Sequence, residues 1–162
     1  MICIDTAVLI WGVQGVAKGS HRQRMVDLTD RYLRSLRDNK EILMIPTPVL
    51  AEYLQGFADP WERTSQLEAV QRFCFIPSFD VPSAYLAAEL SQSPEVQALA
   101  REGDRQALKT DVQIIATAIT HQAERIVTGN VKEFRQIAKG KIPISEVPEV
   151  ELQTELDYEA DD

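Results

Sequence analysis

The chain contains few of the residues that build redox and zinc sites. Its 162 residues include two cysteines and two histidines, and Cys3, Cys74, His21 and His121 are scattered along the sequence. Two cysteines cannot form a disulfide framework, and the four residues do not have the spacing of a zinc site. Both cysteines lie in apolar runs, so we expect them to be reduced residues of the core.

Long apolar runs and phosphate-binding glycine loops are also missing. No stretch approaches the ~20 continuous apolar residues of a membrane span, and the N-terminus lacks the features of a signal peptide. These absences predict a cytoplasmic protein without membrane association. Gly12, Gly15 and Gly19 do not have the G-x-G-x-x-G spacing, and there is no Walker A sequence, so neither type of nucleotide site is predicted.

Basic residues are outnumbered, with 17 Lys and Arg against 25 Asp and Glu and a net charge of −8. At first sight this argues against a nucleic-acid partner. Seven of the acids, however, lie within residues 149–162, which contain no Lys or Arg, and residues 1–148 carry a net charge of only −1. We therefore predict one domain over 1–148 and an acidic C-terminal tail over 149–162.

Short apolar runs alternate with longer helical patterns, which is typical of β-α-β units that form a parallel sheet. The predicted strands are 1–4, 42–45, a run within 73–79, 125–128 and a possible fifth at 142–144. Thr47-Pro48 indicates a cap and a first-turn proline of a helix. Pro94 and Gly103 indicate a break between a helix over 82–100 and another that ends near His121. The sequence therefore predicts an α/β fold.

Acidic residues near the ends of strands are candidate site residues, because ligands of parallel sheets bind at the carboxyl ends of the strands. Asp5 follows the first predicted strand, Glu52 lies in the helix after the second, and Asp111 lies on an apolar helical stripe. Each has a structural alternative. Asp5 could cap residues 7–11, Glu52 could be a boundary residue near a positive helix end, and Thr110 or Asp111 could cap a helix.

Asn130 and Glu133 follow the fourth predicted strand. They could form a capping box at the start of the next helix, or Asn130 could face a metal-bound water with Glu133 as an additional carboxylate nearby. Three carboxylates without His or Cys form a hard-oxygen site that suits Mg²⁺ or Mn²⁺. A bound cation would keep the acids ionised, because their mutual repulsion would otherwise raise at least one pKa.

Four segments together resemble the PIN domain ribonucleases, particularly the VapC-type toxins of bacterial and archaeal toxin–antitoxin pairs. The segments are Ile-Asp-Thr-Ala-Val-Leu-Ile, Pro-Thr-Pro-Val-Leu-Ala-Glu-Tyr, Lys-Thr-Asp-Val-Gln-Ile-Ile-Ala-Thr-Ala and Val-Thr-Gly-Asn-Val-Lys-Glu-Phe, in that order. The resemblance implies a PIN-like, three-layer α/β/α sandwich with a central parallel sheet of four or five strands.

The resemblance further implies a metal-dependent ribonuclease that hydrolyses RNA phosphodiester bonds, as the toxin of a type II toxin–antitoxin pair. It makes Asp5, Glu52 and Asp111 the metal-binding and catalytic acids, with Asn130 as a fourth catalytic position and Mg²⁺ or Mn²⁺ as the cofactor. The implied partners are RNA, a cognate antitoxin protein and a second copy in a homodimer. Asn130 stands where the family has Asp or Asn, which favours one tightly bound metal over two.

Other functions remain open on the sequence alone. A PIN fold without turnover could serve as an RNA- or protein-binding module, and a PIN nuclease could process RNA without being a toxin. A HAD-type phosphatase would need a second Asp where Ala7 stands. A receiver domain would need an acidic pair at the first strand, although Asp80 is loosely placed as a phosphate acceptor.

Overall fold

The sheet has five strands, all parallel, in the order β3-β2-β1-β4-β5. The computed structural model describes residues 1–15 and 20–150. The strands are β1 (Ile2–Ile4), β2 (Leu43–Met44), β3 (Cys74–Phe75), β4 (Arg125–Val127) and β5 (Ile144–Ser145). The prediction of a parallel sheet is confirmed, although the fifth strand begins two residues later and ends one residue later than expected.

Helices connect the strands. They are α1 (Thr6–Leu9), a π-helical turn (Ile10–Gln14), α2 (Ser20–Asp38), α3 (Thr47–Gln55), α4 (Pro60–Gln71), α5 (Val81–Ser91), α6 (Pro94–Glu102), α7 (Arg105–Thr120) and α8 (Val131–Ala138). The chain runs from β1 outwards to β3 and then returns past β1 to β4 and β5. Right-handed crossovers place the helices of these two directions on opposite faces, which gives the three-layer sandwich.

The centre of the sheet is buried along its whole length. Ile2, Cys3 and Ile4 of β1 are 3% exposed or less, and Ile126 and Val127 of β4 are fully buried beside them. Such continuous apolar strands are expected in a parallel sheet that is covered on both faces. The strand order reverses between β1 and β4, so the carboxyl ends of these two strands form the topological switch point where ligands of such sheets bind.

The prediction of one helix over 82–100 is wrong, because α5 ends at Ser91 and α6 begins at Pro94. The Ser93 hydroxyl accepts a hydrogen bond from the amide of Val96 at 3.3 Å and caps α6. Proline fits the first turn of a helix, where its missing amide hydrogen has no intrahelical partner. The predicted break at Gly103 is confirmed, and so is the end of α7 near His121, since its last helical residue is Thr120.

The predicted capping role of Thr47 is also wrong. Pro46 occupies the cap position of α3, and the Thr47 hydroxyl instead accepts a hydrogen bond from the amide of Phe79 at 3.0 Å. This bond ties the start of α3 to the segment after β3.

Both cysteines are free thiols, as expected. Cys3 is buried and Cys74 is half-buried, and burial raises the pKa of Cys74 to about 12. Of the predicted tail, residues 151–162 lie outside the described residues, and the domain boundary at 148 stays a prediction. Within residues 1–15 and 20–150, no helix is long and apolar enough to cross a membrane.

Candidate active site at the switch point

Asp5 lies at the switch point and is held by three hydrogen bonds. Its Oδ1 accepts from the amide of Val8 at 2.9 Å, which caps α1. Its Oδ2 accepts from the Thr128 hydroxyl at 2.5 Å and from the amide of Gly129 at 3.3 Å. The capping role, one of the two alternatives in the sequence, is therefore confirmed, and it leaves the carboxyl group of Asp5 at the switch point.

The carboxyl of Asp5 is 6% exposed. Burial raises its pKa and outweighs the hydrogen bonds from Thr128, Val8 and Gly129, which lower it, while the charge of Glu52 raises it further. Removing a carboxylate from water is unfavourable unless other charges or donors compensate. A cation beside Asp5 would provide that compensation.

Glu52 reaches the same site from α3. It is half-buried, and its Oε2 accepts a hydrogen bond from the Thr6 hydroxyl at 2.5 Å. Thr6 directly follows Asp5, so this bond ties α3 to the carboxyl end of β1. The expectation that the second strand and its helix deliver Glu52 towards Asp5 agrees with this contact.

Asp111 lies in the second turn of α7. The alternative that Thr110 or Asp111 caps a helix is wrong, because α7 begins at Arg105 and is capped by Asp104. Burial is the main cause that raises the pKa of Asp111 to about 7, followed by the charges of Glu133, Asp5 and Glu52. Its carboxylate has no hydrogen bond or ion pair to any other described residue.

The turn after β4 closes the site. The backbone amide of Asn130 donates to the Thr128 hydroxyl at 2.9 Å, and the side-chain Nδ2 of Asn130 donates to Glu133 Oε2 at 2.8 Å. Asn130 occupies the cap position of α8, but its side chain does not bond to the helix backbone. The capping box is therefore not formed, and the side-chain amide of Asn130 donates to Glu133 instead.

Trp11 supports this turn and was not singled out from the sequence. It lies in the π-helical turn, and a Cβ atom placed on Gly129 would come within 2.7 Å of its Cη2 atom. Gly129 therefore allows the indole to approach the backbone that donates to Asp5. Apolar periodicity of 3.6 residues does not reveal a π-helical turn, so only the packing shows this contact.

A cavity of about 290 Å³ adjoins the site. Its lining includes Asp111, Asn130 and Glu133, together with the exposed Glu102 at the end of α6. No basic side chain lines it. Since one water occupies about 30 Å³, the cavity has room for a cation that retains several waters.

The donor chemistry of the site fits a hard divalent cation. The side chains offer carboxylate and amide oxygens. The pKa values of Asp5 and Asp111 are raised first by burial and then by neighbouring acids, so a nearby cation would favour the ionised carboxylates. Within the described ranges, no three His, Cys, Asp or Glu side chains are close enough to hold one ion together. Mg²⁺ often takes only one or two direct carboxylates and completes its shell with water, and this arrangement suits that mode.

Asp80, the phosphate acceptor of the receiver alternative, lies apart from these acids. Its Oδ1 accepts from the amide of Ser83 at 3.0 Å and from the Ser83 hydroxyl at 2.6 Å, which caps α5. Its Oδ2 lies 3.3 Å from His121 Nε2. Asp80 is thus used in the local structure of α5 and α7.

The fold and the acids define an α/β protein with an all-oxygen acidic site at the switch point of a parallel sheet. The model of the PIN domain family matches residues 2–140. The chain therefore belongs to the PIN domain family, which is a family of nucleases. The resemblance seen in the four sequence segments is confirmed.

Solved structures support the same fold. The VapBC2 complex of Rickettsia felis, bound to a DNA fragment from its promoter, is similar with a TM-score of 0.63 and 21% identity, over 90% of this chain and 98% of that chain. The DNA-bound VapBC complex of Salmonella typhimurium is similar with a TM-score of 0.61 and 18% identity, over 91% and 98% of the two chains. The comparison with curated proteins gave no match.

Proposed function

We propose that the protein is an endoribonuclease that depends on Mg²⁺ or Mn²⁺ and uses Asp5, Glu52 and Asp111 around the ion. The observation that carries this proposal is the state of Asp111, a partly buried carboxyl whose pKa of about 7 reflects burial and three neighbouring acids. Placing like charges together in a partly desolvated site is unfavourable unless a cation joins them. Membership of a nuclease family supports the same proposal.

Each acid has a role that follows from its contacts. Asp5 is the fixed anchor, because three donors hold its two oxygens. Glu52 is oriented by the hydrogen bond that its Oε2 accepts from the Thr6 hydroxyl. Asp111 is free of hydrogen bonds to other described residues, so its carboxylate can ligate the ion directly. A bound divalent ion would supply the positive charge that stabilises a phosphodiester during in-line attack by water.

Asn130 belongs to the site through the turn it stabilises. Its backbone amide donates a hydrogen bond to the Thr128 hydroxyl, and that hydroxyl donates to Asp5. The charge distribution also permits an RNA substrate. Residues 149–162 carry seven of the acids, and three of the acids in residues 1–148 are assigned to the metal. The charge distribution is therefore compatible with RNA, which we propose as the substrate.

The test is RNA cleavage in Mg²⁺ or Mn²⁺. We expect Asp5→Asn and Asp111→Asn to lower the rate by at least about a hundredfold, since each removes a carboxylate of the metal site. Glu68→Gln, a change at an exposed position of α4, is the matched control and should cleave as the wild type does. Circular dichroism would verify that all variants fold. Equal cleavage by wild type and both site variants would refute this site, and RNA binding without cleavage would favour a binding module.

We further propose that the protein is the toxin of a type II pair and acts in the cytoplasm, with an antitoxin protein and a second copy of itself as partners. The two similar structures are VapBC complexes, which is the basis of this proposal. Expression in cells should arrest growth, and co-expression of the neighbouring gene product should relieve the arrest. Harmless expression without a partner gene nearby would instead favour an RNA-processing nuclease.

A further inference from the structure

We infer that residues 151–158 of the acidic tail bind the protein's own surface as an extended segment, in a groove along the amino ends of the sheet strands. The groove consists of two neighbouring cavities of about 680 and 760 Å³. Leu36 and Glu41 line both cavities, so the two adjoin each other. We call this surface the amino-edge groove.

The amino-edge groove passes the beginning of all five strands. The cavity of 680 Å³ is lined by Pro143 just before β5, by Arg125 at the start of β4 and by Ile2 at the start of β1. The cavity of 760 Å³ continues past Leu43 at the start of β2 to Phe73 just before β3. Since neighbouring strands lie about 4.8 Å apart, the groove is about 19 Å long. The proposed metal site lies at the opposite, carboxyl ends of the strands.

The chain already lies in this groove when it reaches Val150. Pro148 and Val150 line the cavity of 680 Å³. Glu149 between them is exposed, and it forms an ion pair with Arg24 of α2 at 2.7 Å. Side chains therefore alternate between the groove and the solvent over residues 148–150, as they do in an extended strand.

The sequence continues this alternation beyond Val150. The even positions from 150 to 158 are apolar or Thr, and the odd positions from 149 to 159 are acidic or Gln. Strict alternation over this length is the pattern of a half-buried strand. In the same register, Leu152, Leu156 and Tyr158 face the groove. Eight extended residues cover about 26 Å, which is enough to follow the groove from β5 to β3.

The charges favour the same location for the tail. The cavity of 760 Å³ is lined by three bases and two acids, namely Arg34, Arg37 and Lys40 with Asp30 and Glu41. Residues 151–158 contain three acids and no base. The cavity beside Asp111 is lined by acids and no base, and it would repel the tail. Docking in the amino-edge groove therefore keeps the acidic tail away from the site proposed for RNA.

A simpler explanation of residues 151–158 is a solvated acidic terminus. That explanation accounts for the acids, but it does not account for an apolar residue or Thr at every second position. Tethering at Val150 also gives the segment an effective concentration on the order of millimolar at the groove, so modest contacts are sufficient to hold it there.

Nuclear magnetic resonance of the full-length protein tests the docking without RNA or metal. We expect backbone order parameters above about 0.8 over residues 151–158 in the wild type. Leu156→Ser removes an apolar side chain that faces the groove, and the order parameters of residues 154–158 should fall below about 0.6. Gln153→Ser, a change on the outward side, is the matched control and should keep the wild-type values. Order parameters below about 0.6 in the wild type would leave the groove to another occupant and overturn the inference. Equal values in Leu156→Ser and the wild type would overturn the predicted register.

Disulfide trapping identifies which chain occupies the groove. Asn39 is exposed and lines the cavity of 680 Å³, whereas Glu68 is exposed on α4 and lines neither cavity of the groove. Under mild oxidation, Leu152→Cys with Asn39→Cys should form a disulfide within one chain at least about tenfold faster than Leu152→Cys with Glu68→Cys. Equal rates for the two pairs would overturn the docking. A disulfide between two chains, seen as a dimer without reductant, would make the tail of a second copy the occupant and would overturn docking within one chain.

Discussion

Asp111→Asn should stabilise the metal-free protein, and the gain should depend on pH. The pKa of Asp111 is about 7 in the folded protein, against an ordinary value of 3.8. The folded state therefore binds this proton more tightly than the unfolded state does. Between these two pH values the free energy of unfolding falls as the pH rises, and the full penalty is present above pH 7.

The shift sets an upper limit for the effect. About three pKa units correspond to about 4 kcal/mol. The carboxyl is partly exposed, so solvent screening reduces the figure, and we expect about 2 kcal/mol. Asparagine has nearly the same shape and never ionises. Asp111→Asn should therefore match the wild type at pH 4 and be about 2 kcal/mol more stable at pH 8.

Urea denaturation in EDTA at pH 4, 6 and 8 measures this difference, with Glu68→Gln as a control for general charge effects. Added Mg²⁺ should reverse the order at pH 8, because the wild type gains binding free energy that the variant has lost. A pH-independent difference between the two proteins, or equal stability at pH 8 without metal, would refute the assignment of Asp111 as an uncompensated acid.

Two further predictions concern the turn after β4. Gly129→Ala should lower the free energy of unfolding by about 1–3 kcal/mol, because the added Cβ would clash with Trp11. Gly103→Ala is the control and should cost less, since its Cβ would meet only a backbone oxygen at 3.5 Å. Equal denaturation midpoints for the two variants would contradict the packing. Thr128→Val removes the hydroxyl donor to Asp5, so it should lower the free energy of unfolding by about 1–3 kcal/mol and weaken Mn²⁺ binding. Unchanged thermal unfolding and an unchanged Mn²⁺ titration would contradict the role of that bond.

Much of the fold and of the acid set is predictable from the sequence, because both depend on local patterns. The apolar run before Asp5 predicts a buried strand, and an acid that directly follows a strand is expected at the carboxyl edge of a parallel sheet. The same reasoning predicted the neighbourhood of Glu52, which lies in the helix after the second strand, whereas Asp111 was a candidate because it lies on an apolar helical stripe. The chemical roles of these acids stay proposals.

The remaining features depend on tertiary packing. Pro94 indicated a break, but the apolar pattern continues across it, and proline fits both a helix start and a helix end. The separate start of α6 at Pro94 was therefore not predicted. The bond from Asn130 to Glu133 depends on side-chain rotamers. The contact between Trp11 and Gly129 joins segments more than a hundred residues apart, and no local propensity specifies it.

The double use of Asp5 constrains how this protein can lose activity over evolutionary time. The carboxylate that we propose as the anchor of the metal site also caps α1 and binds the turn after β4. Random substitutions there would remove a structural support together with the chemistry, so most would be eliminated as folding defects. Substitution at Asp111 breaks no hydrogen bond to another described residue and relieves an electrostatic penalty in the metal-free protein. If the proposed site is correct, folded but inactive descendants of this chain would therefore arise through Asp111 more readily than through Asp5.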